Sequence, residues 1–448
     1  MSRAPSSILD FLDNLVAMSL KAGADAADAM AAESRGTSVE CRLGKLESLD
    51  HHESHAYGLR VLIGTQQALV SASDFSKDTV QSLVERAIAM AKIAPPDPFL
   101  SIASPDMLAT SVPELDLYDA TEPTFDTMWQ LAHEAEDTAR AVAGVTNSDG
   151  ASFGWGKSRS AMVISNGFRE ILESSSFSLS ASVIAESAAG MESDYEFSTT
   201  CHFADLTDAK SIGKRAGEGA VKRLNPRKPL TQVVPVIFDP RVARGLVGCV
   251  ASACNGAAIA RNTSFLKEAL GTAMMPAGIH IIDDPLRKRG LSSYAVDAEG
   301  IAASTQSLVE DGVLKQWFLD LRSAKQLGLT TNGHASRGFS SPPSPSSSNL
   351  YLTPGPLSPA ELMADIKEGL YVTELSGMGI NLITGDYSQG ASGFWIENGK
   401  IAYPVSELTI ASTLQTMLKT LVPANDLEFR YGTNAPTIRI ASMTVAGT

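Results

Sequence analysis

The chain has 448 residues, 44% of them hydrophobic, a mean hydropathy near zero and a formal charge of −14. That length implies two or three domains, and the acidic balance repels a polyanion, which argues against nucleic acid as a partner. No window supplies the ~20 uninterrupted apolar residues of a membrane span, and four scattered cysteines without an export signal read as a cytoplasmic protein with no disulfide framework.

In chain order, Leu9, Leu12, Leu15, Val16 and Leu20 recur with helical period. Asp10 and Asp13 break the apolar run, so residues 6–22 predict an amphipathic helix and not a signal peptide. Extended segments follow at 26–32, 37–49, 56–63 and 67–73, the last two as a hairpin around Gly64-Thr65. His51, Glu53 and His55 share one side of an extended strand. They suit a divalent metal, but a polar edge strand looks the same and is the preferred reading. Val80, Leu83, Val84, Ala87 and Met90 predict a second helix over 76–92, ended by Pro95 and Pro96. A Pro-containing connector runs from there to residue 123.

A helix is expected over 125–143. Its His133-Glu134-Ala135-Glu136-Asp137 has the outline of a zinc motif, but it ends in aspartate and reads as a solvated helix face. Long strands of period two follow at 158–165, 169–183 and 190–199, with a turn at Asn166-Gly167. Their serine-rich faces suit water or a partner. After a helix at 207–224, Asn225-Pro226-Arg227-Lys228-Pro229 marks the clearest boundary. The expected units are 1–120, 121–228 and 229–448.

The last unit opens with a buried strand at 233–238. Asp239-Pro240 then caps and starts a helix carrying Val242, Leu246, Val247 and Val250. Cys249 and Cys254 lie on different faces of it, at about 100° per residue, so close packing is preferred over metal ligation. SSPPSPSSS at 340–348 reads as a loop that buries no core, and Ser358 caps a helix expected over 359–369. Glycines at 377, 379, 385, 390 and 393 then divide a segment that ends in a hairpin over Asn398-Gly399. The fold class is α+β: a helix and sheet region, then a β-rich barrel- or sandwich-like domain. No phosphate loop and no GxSxG elbow is present, and pattern alone selects no Ser/His/Asp triad.

Three blocks, YGLRVLIGTQQALVSASD near the start, PVIFDPRVARGL in the middle and GDYSQGASGFWIENGKI followed by PV, occur in an order that resembles the TldD/PmbA family, peptidase-associated proteins once called modulators of DNA gyrase. The resemblance implies a cytoplasmic zinc metalloprotease acting on unfolded peptides. In its catalytic members HExxxH lies on the helix after the short strand, and a cysteine ligand lies in the glycine-rich segment. Residues 244–256 offer neither histidine nor carboxylate, and 386–397 offers no cysteine, with Gly390 standing about where one is expected. This matches the PmbA/TldE branch. Zinc then belongs to a TldD-like partner in a heterodimer, this chain carries no catalytic or metal residue and no cofactor, and a homodimer in isolation stays open.

Peptide contacts are expected from His334 and Arg337 beside the Pro/Ser loop, and from Gly377, Gly379, Gly390 and Gly393, which let another backbone approach as an added strand. Arg337 either receives a peptide carboxylate or anchors its own loop. Two other classes stay open: a stand-alone peptide-binding or regulatory protein, and a hydrolase with an unrecognised serine or cysteine site.

Overall fold

The computed structural model describes residues 7–447. Its N-terminal half is organised by one antiparallel sheet. Strand β1 (Ala26–Arg42) pairs with β2 (Lys45–Ile63) along its whole length around Leu43-Gly44, where φ is +51° and +72°. Two long strands therefore replace the three segments expected at 26–32, 37–49 and 56–63. β3 (Gln66–Ala72) turns back on β2 at Gly64. Three more strands, β4 (Val145–Ile164), β5 (Arg169–Ser187) and β6 (Gly190–Thr200), complete the order β3-β2-β1-β4-β5-β6.

Four helices cover one face. α1 (Ile8–Lys21), capped by Ser7, and α2 (Lys77–Ile93), capped by Ser76, pack over Ala27, Ala29, Ala31, Leu59 and Val61. α3 (Phe125–Arg140) and α4 (Ala209–Lys222) pack over Val39, Phe153, Phe177, Leu179 and Val183. Period two makes this a single-sided core. The opposite face carries glycine and hydroxyl over its middle, with Ser34 beside Ser54 and Ser152 beside Ser180, both pairs at 2.8 Å, and Met30, Met162 and Leu172 nearer one end.

The second half begins with β7 (Gln232–Phe238), α5 (Pro240–Ala253) and α6 (Gly256–Ala260). There follow β8 (Ile281–Asp283), β9 (Gln306–Glu310), β10 (Val313–Leu314), α7 (Leu321–Leu327), β11 (Ala335–Ser336), β12 (Ser344–Pro345) and β13 (Leu350–Leu352). The chain ends with α8 (Pro359–Met363), β14 (Glu368–Ser376), β15 (Asp386–Glu397), β16 (Lys400–Thr413), α9 (Leu414–Lys419), β17 (Val422–Pro423), β18 (Thr433–Asn434) and β19 (Ile438–Ala446). β14 runs parallel to β7, β19 runs antiparallel to it, and β16 pairs with both β15 and β19. The ring β7-β14-β15-β16-β19 is a closed five-stranded barrel, so the expected α+β class with a β-rich C-terminal domain holds. A second sheet, β10-β9-β8-β13-β18, flanks it.

Two local expectations need correction. The helix at 359–369 stops at Met363, because Gly369–Val372 pair with β15 and β7 as strand. The serine-rich segment 340–348 is built into the fold: Ser348 is buried, its N–H and Oγ both donate to Asp283, and Ser346 N–H donates to the His334 carbonyl.

Candidate functional site

Helix α5 is set by its cap. Asp239 Oδ1 accepts the Arg241 N–H at 3.0 Å, Pro240 occupies the first turn, and Tyr371 donates its hydroxyl to Asp239 Oδ2 at 2.8 Å. Ala243, Leu246, Val247, Val250 and Ala253 face the core. The opposite side is bare: a Cβ built on Gly245 or Gly248 meets nothing within 4 Å, and Ser252 is exposed. Cys249 is half-buried and burial pushes its thiol up to about 11. Burial also raises the thiol of the enclosed Cys254, so both favour the protonated form, which is a poor ligand and a poor nucleophile.

The four expected glycines gather on the β14–β15 hairpin, whose own strands occupy the space left at Gly379, Gly390 and Gly393, while Gly377 faces open space. A Cβ at Gly393 would strike the Tyr371 carbonyl, one at Gly379 the Ser388 carbonyl and one at Gly390 the Ser376 side chain; Gly377 has φ +89°. The close approach at Gly379, Gly390 and Gly393 is thus internal.

His334 and Arg337 lie elsewhere, at the junction of the two halves. His334 is 1% exposed, with Nε2 3.1 Å from Asp283 Oδ2 and Nδ1 3.0 Å from Asn332 Oδ1. Ser348 donates its hydroxyl to the same Asp283 oxygen at 2.6 Å. Serine, aspartate and histidine therefore meet, but the carboxylate stands between the other two and all three are sealed from solvent. The imidazole does not bond the hydroxyl, so this is a structural bracket and not a nucleophilic triad.

The Arg337 side chain is also fully enclosed and ion-pairs with Asp28, whose other oxygen takes Arg60 Nε at 2.6 Å. The loop-anchoring role is the one this geometry displays.

The sequence reading missed several buried carboxylates. Asp297 accepts N–H groups from Glu299, Ile301 and Ala335, while burial pushes it up to about 6. Glu299 accepts the Leu321 N–H at 2.8 Å; burial, then Asp297, pushes it up to about 8. Glu136, expected on a solvated face, is fully buried and accepts the N–H groups of Leu43 and Gly44, fixing the β1–β2 turn. Its neighbour His133 pairs with Asp137 at 3.3 Å on the exposed side. His51 Nδ1 lies 3.0 Å from Thr37 Oγ1. Among the described residues, no three His, Cys, Asp or Glu side chains are placed to hold a metal.

A cleft of about 380 Å³ separates β6 and α4 from the start of α5 and the barrel. Its charges are paired across the junction. Arg241 donates to Asp194 Oδ1 at 2.6 Å and to the Tyr195 carbonyl at 2.8 Å. Arg430 donates to Glu196 at 2.5 Å and to the Phe197 carbonyl at 2.7 Å. Arg223 bridges Asp194 and Glu374.

A single-sided antiparallel sheet joined to a closed barrel, with a capped helix after the first barrel strand, defines the architectural class. Three domain models of the PmbA/TldA metallopeptidases match the chain: domain 1 over residues 27–91, the central domain over 118–224 and the C-terminal domain over 231–447. The chain is 37% identical to the metalloprotease PmbA homolog of Haemophilus influenzae and 35% to the metalloprotease PmbA of Escherichia coli O157:H7, in each case over 96% of this chain and 94% of the relative. A crystal structure from Bacteroides thetaiotaomicron, described as a modulator of DNA gyrase, superposes with TM-score 0.90 at 26% identity over 98% of both chains. TldE from Thermococcus kodakarensis shares the fold, with TM-score 0.87 at 20% identity over 98% of this chain and 100% of that one. The chain belongs to the PmbA/TldD metallopeptidase family.

Proposed function

We propose that this chain is the PmbA/TldE-like subunit of a cytoplasmic zinc metalloprotease that acts on unfolded peptides. In this reading it contributes structure and peptide contacts, while a TldD-like partner supplies zinc, the general base and the activated water. The observation that carries the reading is the donor set of α5. A hydrolytic zinc site needs imidazole, carboxylate or thiolate ligands at tetrahedral spacing and a base beside the bound water. The open side of α5 presents Gly245, Gly248, Ser252 and one protonated thiol. These residues do not fit the metal, so no hydrolytic step is derived for them.

The partner is inferred from relatives. The TldD homolog of Buchnera aphidicola is 24% identical over 89% of this chain, which supports a partner of related build. With no helix of the described residues long and apolar enough to cross a membrane, helical membrane insertion is not part of the proposal. The test is a peptidase assay on an unfolded polypeptide, using this chain, an HExxxH-bearing TldD-like chain, and both together. Turnover confined to the mixture, with the two chains co-eluting, supports the reading. Chelator-resistant turnover by this chain alone would instead favour a serine or cysteine hydrolase.

A further inference from the structure

A cavity of about 350 Å³ lies where the open face of the N-terminal sheet meets segments 294–298 and 334–347 of the second half. That volume falls within the usual ~300–1,000 Å³ of small-ligand sites. Its sheet wall is mainly apolar, built from Met30, Met162 and Leu172 with Ser160, and Val296 stands opposite among Tyr294, Asp297 and serines. One carboxylate stands on the sheet wall. Glu170 of β5 is in register with Met162, which is in register with Met30, so all three point away from the helices.

Glu170 is half-buried and, among the described residues, its carboxylate takes part in no hydrogen bond or ion pair. Burial alone raises its pKa, with no charged neighbour contributing. The contrast with other buried acids is sharp. Asp28 holds Arg60 and Arg337, Asp283 holds Ser348, Asp297 accepts three N–H groups and Glu299 accepts one. A carboxylate partly withdrawn from water, with no protein partner, favours any cation the cavity admits. Asp297 also lines the cavity, but its oxygens are taken by three N–H groups, which leaves Glu170 short of the several oxygen ligands a divalent metal needs. Arg337 also lines the cavity, but its guanidinium is enclosed and ion-paired with Asp28.

We infer that this cavity receives a primary ammonium carried on an apolar body, with Glu170 as its counter-ion. The source of the ammonium is a lysine side chain or the free amino terminus of a peptide. The inference rests on the reading of this chain as a peptide-handling subunit.

The test is fluorescence anisotropy on the full chain with three apolar peptides labelled at their carboxyl ends. One has a free amino terminus and no lysine, one is acetylated with a single lysine, and one is acetylated without lysine. An ammonium peptide is expected to bind about tenfold tighter than the third, equivalent to roughly 1.4 kcal/mol, and whichever does so identifies the source. E170Q should reduce the preference to within about twofold, and E170K should reverse it by repulsion. Because Glu170 has no partner to lose, E170Q should unfold no earlier than the parent chain. Equal binding of the three peptides, no binding of any, or a preference that survives E170Q overturns the site. Co-elution with the TldD-like chain is scored on the same preparations. Retained pairing without ammonium preference rejects this cavity and leaves the proposed function standing, whereas ammonium preference without pairing does the reverse.

Discussion

Arg337 reaches from the C-terminal half of the fold onto Asp28 in the first strand of the sheet, and Arg60 holds the other oxygen of that same carboxylate. All three side chains are at most 4% exposed. Removing Asp28 would strand two buried guanidinium groups; breaking such a pair costs about 3–5 kcal/mol. Arg337→Ala leaves Asp28 paired with Arg60 and should cost less, about 1–3 kcal/mol. Urea unfolding should place Asp28→Ala below Arg337→Ala, and both below the parent chain. A parental midpoint for Asp28→Ala would show that the triad contributes nothing.

The edge of β6 gives a second expectation. Arg241 and Arg430 each take one outward carbonyl and the acidic side chain just before it, at Asp194-Tyr195 and Glu196-Phe197. An edge strand is otherwise open to pairing with another chain. Arg241→Ala and Arg430→Ala should each cost about 1.5–3 kcal/mol, the range for hydrogen bonds to charged groups. Hydrogen exchange should quicken in 190–200 and 426–434 before it changes in α1 or α2. Uniform acceleration across the chain would argue that the two halves do not separate along this seam.

Much of the architecture is legible in the sequence because its signals are local. Ser76, Asp239 and Ser358 cap the helices they precede, and Asn398-Gly399 sits at positive φ between β15 and β16. The alternation Phe177, Leu179, Ala181, Val183 places β5 on its core. What stayed hidden depends on distant partners. β1 and β2 run on through Ser34-Arg35-Gly36 and His51-His52-Glu53 because each pairs with the other, although no apolar alternation marks those stretches. Ser348 is ordered by Asp283, 65 residues away, and Glu136 by a turn 92 and 93 residues away. Of the candidate site, the absence of imidazole and carboxylate on α5 was readable directly. The enclosure of His334 and Arg337, and the cavity at Glu170, required the two halves to be brought together.

Glu299 makes stability pH-dependent in a defined direction. Its folded pKa, about 8, lies above the ordinary 4.5, so the native state holds a proton that the unfolded chain releases. Stability from this group is full below about pH 4.5 and is lost as pH rises through about 8. Asp297, raised to about 6, acts in the same sense over a lower window. Thermal melts between pH 5 and 9 should therefore show a decline that E299Q flattens. An unchanged slope in E299Q would exclude this carboxyl as its source.

The hairpin glycines are predicted to be structural. Gly393→Ala sets a methyl against the Tyr371 carbonyl and should destabilise by about 1–3 kcal/mol, as overpacking does. Gly245→Ala on the open side of α5 meets nothing and should stabilise by about 0.8–1 kcal/mol through helix propensity. Opposite shifts in melting temperature are expected from these two substitutions. A Gly393→Ala chain with full stability but lost peptide binding would instead assign this strand to the ligand.

The central claim concerns where the zinc resides, and elemental analysis of purified protein tests it most directly. The account predicts no zinc in this chain alone after dialysis, and one equivalent per heterodimer once an HExxxH-bearing partner is present, with none added by this subunit. Stoichiometric zinc retained by the isolated chain, and lost on replacing Cys249 or Ser252 of α5, would contradict it.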